Sequence, residues 1–143
     1  MRIKLSHFIT VIFILISGQN MYSQDFEDLT QLLDKWTLVM KHYIGEMSEC
    51  NDLEKLALSC NELADSVTFY YPKMNRMREK YPEFAESGPP EELREFFTNF
   101  GIIENKYNDM LNELAKIANA NSENEVYQTA FGKLNMAIYN ARR

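Results

Sequence analysis

Few side chains in these 143 residues carry chemistry, and their spacing decides what each can do. The histidines are His7 and His42. His42 stands between the apolar positions Met40 and Tyr43, on the flank of a helical stripe, with no nucleophile placed beside it in a readable motif. A triad or a histidine-rich metal site needs more partners than that. A di-iron bundle needs Glu-x-x-His pairs facing inward, and no glutamate precedes a histidine at that spacing. Glu91 and Glu95 share a helical face and could hold calcium weakly, but solvated carboxylates show the same spacing. Met74 and Met77 offer soft sulfur for copper(I), yet they fall where methionine fills gaps in a core. Lys73, Arg76, Arg78 and Lys80 interleave with aromatic residues, as in single-strand nucleic-acid binders. The acidic balance of the chain favours a salt-bridged helix face instead. There is no glycine-rich phosphate loop, G-x-S-x-G elbow or C-x-x-C motif. The residues therefore predict a protein that is not an enzyme, with no metal, no cofactor and no nucleic-acid partner.

Cys50 and Cys60 raise the question of a disulfide. Ten positions along a continuous helix span about 15 Å, and a bridge needs Cα atoms within roughly 7 Å. Pairing would need a break between them, with a helix restarting at Ser59, where Glu62 completes a capping-box spacing. Without the break, Cys60 is a small core residue and Cys50 a loop thiol.

Four apolar stripes position these residues. The first runs Phe26, Leu29, Leu33, Trp36, Met40, Tyr43, Met47. The second runs Leu53, Leu56, Cys60, Leu63, Val67, Tyr70, Met74, Met77, Tyr81, Phe84. The third runs Leu93, Phe96, Phe100, Ile103, Tyr107, Met110, Leu114, Ile117, and the fourth Tyr127, Phe131, Leu134, Ile138, Ala141. Steps of three and four mark helices packed lengthwise, and no segment alternates with a period of two as a half-buried strand would. The pattern predicts an all-α, antiparallel up-down-up-down four-helix bundle with helices over about 26–44, 52–86, 91–119 and 123–142. Gly45 is read as the end of the first helix. Asn51 with Glu54, and Ser122 with Glu125, are read as caps of the second and fourth. The short turns predict that consecutive helices are antiparallel neighbours.

Helices two and three are the longer pair. Twenty residues along them from the connected ends reach Pro72 and Gly101, at the level where helices one and four are expected to run out. The prediction is a bend near Pro72 and Gly101, with residues 73–100 forming an extension rich in Met77, Tyr81, Phe84, Phe96 and Phe97. Apolar surface left uncovered there would mark a partner or a dimer; a hairpin folded back on itself would complete its own core.

Upstream, Met1–His7 carries Arg2 and Lys4, and Phe8–Ile16 is an apolar run of nine residues, short of the ~20 that span a membrane. Residues 1–23 are read as a secretory signal peptide and 24–143 as a single domain. Without Arg2 and Lys4, thirteen basic residues face 21 acidic ones, a net charge of −8.

With that layout, the chain resembles the cytochrome b562-like periplasmic bundles over its whole mature length. The likeness lies in the leader, the opening Asp25-Phe26-Glu27-Asp28-Leu29, the Pro-bearing second connection and the basic end of the last helix. The resemblance implies a four-helix bundle in the cell envelope. That family holds haem with a methionine of the first helix and a histidine near the end of the last. The matching stretches here read Leu29-Thr30 and Ile138-Tyr139, so no haem role passes to any residue. The combined expectation is a non-catalytic exported protein, periplasmic or extracellular, which meets an unidentified protein partner or a second copy through 73–100. An immunity or inhibitor-like role is one concrete form. The alternative is a small-molecule or cofactor carrier with its site near Trp36, Tyr70, Tyr107 and Phe131.

Overall fold

A computed structural model describes residues 26–141, so the segment read as a signal peptide lies outside the described residues. The described chain is helical: α1 (Glu27–Met47), α2 (Leu53–Lys80), the short α3 (Glu83–Ser87), a 3-10 turn (Glu91–Leu93), α4 (Arg94–Ala120) and α5 (Glu125–Ala141). The four long helices follow the four apolar stripes. Most of their buried residues form one core, which includes Trp36, Met40, Leu56, Leu63, Val67, Tyr107, Leu114, Tyr127 and Leu134, while Leu29 and Leu33 of α1 belong to a second, smaller cluster.

The helix ends differ from expectation in instructive ways. α1 runs through Gly45 to Met47, and the Ser48 hydroxyl closes it by donating to the Ile44 carbonyl at 2.5 Å. Met47 is buried, and burying such a side chain stabilises by about 1.5–3 kcal/mol, more than the roughly 1 kcal/mol that a helical glycine costs. The cap of α2 is Asp52 rather than Asn51: its Oδ1 accepts from the Glu54 and Lys55 amides at 3.0 and 3.3 Å. The cap of α5 is Asn124 rather than Ser122, with its Oδ1 accepting from the Tyr127 amide at 2.9 Å. The second helix stops at Lys80 instead of reaching 86. Tyr81 (φ −124°, ψ 61°) precedes Pro82, whose ring disfavours helical geometry in the residue before it. Gly88 then takes φ 74°, and Pro89 and Pro90 follow without N–H donors. Pro72 lies inside the continuous α2, and Gly101 inside the continuous α4.

The arrangement of neighbours also departs from the expected one. α2 makes its largest contact with α5, and α1 packs on both α4 and α2; neither α2 with α4 nor α1 with α5 forms a comparable interface. The connection over 81–93 carries two short helical turns, so it can pass over the end of the bundle as a tight turn cannot. In the α2–α5 contact, Lys133 pairs with Asp65 at 2.7 Å and Asn75 donates to the Ala141 carbonyl at 3.0 Å. Residue numbers rise together along this pair. The buried Ala57, Cys60 and Ala64 of α2 and Ala130 of α5 are small, which lets the two backbones approach. α5 is tied to α4 by the Tyr127 hydroxyl, which donates to the Leu114 carbonyl at 3.0 Å inside the core.

α1 reaches farther than expected. Glu46, near its end, lies opposite Ser59, in the second turn of α2 and not the first (3.5 Å). That offset carries the start of α1 past Pro72, to Lys80 and Tyr81.

Replacing Ala64 by leucine is expected to cost about 1–3 kcal/mol, because the close α2–α5 seam has no room for three more carbons. Leu38→Ala, at a site 67% exposed, is expected to stay within about 0.5 kcal/mol. Urea unfolding followed by circular dichroism measures both.

Candidate functional site

Met77, Tyr81, Phe84, Phe96 and Phe97 come together at one end of the molecule. The last turns of α2 supply Met77 and, at the helix end, Tyr81; α3 supplies Phe84; the first turn of α4 supplies Phe96 and Phe97. The rings form a continuous series. Phe26 lies 5.4 Å from Tyr81 and 5.3 Å from Phe84, centroid to centroid. Tyr81 stacks on Phe84 at 5.5 Å, Phe84 meets Phe97 edge-on at 6.0 Å, and Phe97 meets Phe96 at 5.6 Å. These separations suit tilted and edge-to-face aromatic pairs.

The sequence reading missed the contribution of α1. Phe26, Leu29 and Leu33 complete this cluster, and Leu29 and Leu33 are buried in it. All three belong to the first apolar stripe, so their inward face was readable; the helix offset that carries them to this end was not. As a result, α1 covers part of the surface that the sequence left either open or closed by the hairpin itself. Tyr81 is buried, while Met77, Phe84, Phe96 and Phe97 are half-buried.

A polar clamp closes the same end. The carboxylate of Asp28, in the first turn of α1, accepts from the Tyr81 hydroxyl at 2.7 Å and pairs with the Lys80 ammonium. Its Oδ1 also accepts from the Leu29 amide at 2.9 Å. The hydrogen bond from Lys80, aided by those from Tyr81 and Leu29, holds the Asp28 carboxyl below its ordinary 3.8 although burial partly opposes this. Burial, and next the bond to Asp28, push the Tyr81 phenol up.

The other residues that sequence analysis weighed have ordinary surroundings. Lys73 sits over the Phe69 ring, 3.1 Å from its centroid, and Arg94 pairs with Glu91 at 2.5 Å. His42 is exposed, with Nε2 3.7 Å from Glu46. Among the described residues, no group of three or more His, Cys, Asp or Glu side chains is placed to hold a metal, and no helix is long and apolar enough to cross a membrane. The considered Cys50–Cys60 pairing is not formed. α2 runs unbroken from Leu53 through Cys60, Cys60 is sealed in the core, and the Cys50 thiol donates to the Asp52 carbonyl at 3.6 Å. Burial pushes the Cys60 thiol from 9.0 up to about 11.

At the level proposed for a carried ligand, Trp36 is packed by Tyr70, Tyr71 and Tyr107 at 5.6, 5.5 and 5.7 Å. Tyr127 stacks on Phe131 at 6.1 Å. Phe131 is thus apart from the Trp36 group: its partner Tyr127 reaches Leu114, seven positions along α4 from Tyr107.

Compared with protein-family models, characterised proteins and solved structures, the chain matches none. The residues present do not fit a haem at the positions the bundle resemblance indicates. Leu29 and Ile138 are aliphatic, and they lie in different clusters. The Thr30 hydroxyl is committed to the Phe26 and Glu27 carbonyls, each at 3.1 Å.

Two outcomes follow. Because the carboxyl of Asp28 is depressed in the folded state, its contribution is present above about pH 4 and lost as pH falls through the folded value. Asp28→Asn is therefore expected to lower the thermal midpoint at pH 7, with the difference from wild type shrinking below pH 4, as read by calorimetry across pH. Cys50 is expected to react with a thiol reagent in the native protein, while Cys60, buried and with a raised pKa, reacts only on unfolding; a timed colorimetric thiol assay separates the two.

Proposed function

We propose that this chain is a non-catalytic, exported binding protein, an antiparallel up-down-up-down four-helix bundle bent near Pro72 and Gly101. It meets a protein partner through the end formed by residues 73–100. The topology is supported by the contacts at both ends of α1 and α2, where Asp28 meets Lys80 and Glu46 meets Ser59. It is supported also by the short turn between α4 and α5.

One observation carries the functional reading: the end cluster is poorly sealed. Only Leu29, Leu33 and Tyr81 are buried members, whereas seven side chains packed against them remain partly exposed, six of these from residues 73–100. The main core has eighteen buried members. Of the exposed large hydrophobic residues elsewhere, Leu38, Leu58, Ile102 and Val126 fall on separate helices, and only Met136 and Tyr139, three residues apart on α5, share a turn; single exposed residues are ordinary for a protein surface. A connected set of half-covered aromatic rings is what a hot spot at a protein interface uses, because rigid rings bury much area at small entropic cost. The excess of acid over base, 21 against 15 residues, suits a basic partner.

Location outside the cytoplasm rests on the residues 1–23, and an immunity or inhibitor-like role is the concrete form that a small acidic exported binder would take. A cofactor carrier remains the second reading on sequence grounds alone, and a visible spectrum with native mass of the purified protein tests it directly.

The test of the binding reading is a comparison of co-purifying proteins from the source envelope. Wild type, Phe97→Asp and, as an exposed control, Leu38→Asp are compared after circular dichroism confirms each is folded. A partner retained by wild type and by Leu38→Asp is expected to be lost, by tenfold or more, with Phe97→Asp. An identical set of proteins in all three samples overturns the reading.

A further inference from the structure

The molecule has two apolar clusters of unequal quality, and the join between them is thin. The main core is built by α1, α2, α4 and α5 together. The end cluster contains the start of α1, the end of α2, α3 and the start of α4, and no residue of α5 belongs to it. The carbonyl of Ala141 in α5 reaches only as far as Asn75. Met74 and Phe100 are the two side chains that pack against both clusters, and each is only partly buried. Few residues thus transmit order from one cluster to the other.

The same level carries the two weakest backbone positions of the long helices. Pro72 has no N–H, so α2 lacks one of its backbone hydrogen bonds there. Gly101, one residue from Phe100, sits inside α4, and a Cβ built on it would meet nothing within 4 Å. No close neighbour requires that glycine, so its effect is on backbone freedom. Beyond these positions the chain is broken twice more, at Tyr81–Pro82 and at Gly88–Pro90. The surface clamp of Asp28 with Lys80 and Tyr81 ties the start of α1 to this end.

We propose that residues 73–100 open and close over the start of α1 as a cooperative unit, hinged at Pro72 and Gly101 and latched by Asp28, while α1 and the main core stay folded. Proteins open in contiguous units whose stability follows their buried apolar contact, and here the contrast between the clusters is large. The open form exposes Leu29, Leu33 and Tyr81, which the closed form buries. If the binding reading holds, partner affinity then depends on the opening equilibrium; that last point alone rests on the reading, and the opening itself does not.

Native-state hydrogen exchange, read at increasing but sub-denaturing urea, tests the proposal on the full chain. Wild-type amides of 74–80 and 97–100 are all within helices, and they are expected to exchange together, about tenfold or more faster than those of 60–67 and 110–118. Asp28→Asn is expected to speed the first group several-fold and leave the second unchanged. Gly101→Ala, which adds a methyl group into open space and stiffens α4, is expected to slow the first group selectively. The proposal is overturned if both groups follow one exchange isotherm in wild type, or if either variant shifts them equally. Should Asp28→Asn fail to fold, the wild-type and Gly101→Ala measurements still decide. An identical set of co-purified proteins in all three samples, with two-group exchange, removes the binding reading and leaves the opening intact; loss of a partner with Phe97→Asp, with one shared exchange isotherm, does the reverse.

Discussion

The close, same-direction packing of α2 against α5 governs where the other helices can go. It depends on a run of small side chains, Ala57, Cys60 and Ala64 on one helix and Ala130 on the other, and on the Asp65–Lys133 pair at its edge. Once α5 occupies that flank of α2, α4 cannot also lie beside α2 along the body, and it packs on α1 instead. The chain between α2 and α4 must then travel across the end of the molecule. That passage is what gathers Tyr81, Phe84, Phe96 and Phe97 over the start of α1. The aromatic end is thus a consequence of a seam some distance from it, made by residues with almost no side chain.

Much of this was written in the period of the apolar residues. The stripes named Trp36, Met40, Leu63, Tyr107, Leu114, Tyr127 and Leu134 as inward-facing, and all are in the core. The aromatic residues of 73–100 were identified as a group, and they do share one cluster. Lateral order and axial offset came out differently from what the short turns and the helix lengths led one to expect, because a stripe says which side of a helix is buried without saying which neighbour buries it or at what height. Ala57 and Ala64, which decide the lateral order, carry too little hydrophobic weight to stand out in the second stripe. The offset of α1 follows from packing near Glu46 and Ser59, which no local pattern announces. Helix ends were legible only to within a few residues, since adjacent polar residues compete for the cap. Asp52 prevails over Asn51, and Asn124 over Ser122, while the burial of Met47 overrides Gly45.

The chemistry weighed from residue types resolves in the same way. Two of the four basic residues weighed on α2 are engaged locally, Lys73 by the Phe69 ring and Lys80 by Asp28, while Arg76 and Arg78 are exposed. The two cysteines stand apart because an uninterrupted helix keeps one in the core and leaves the other near its start.

The shared end of the bundle also has an electrical character that net charge does not convey. α1 and α4 both begin there and α2 finishes there, so two helix macrodipoles present their positive poles beside the negative pole of a third. The side chains follow the poles. Glu27, Asp28, Glu91, Glu92 and Glu95 stand at or just before the beginnings, and Arg78 and Lys80 at the finish. Lys80 pairs with Asp28 and Arg94 with Glu91, so opposite charges are interleaved at this end, and the overall charge of −6 does not describe its local field.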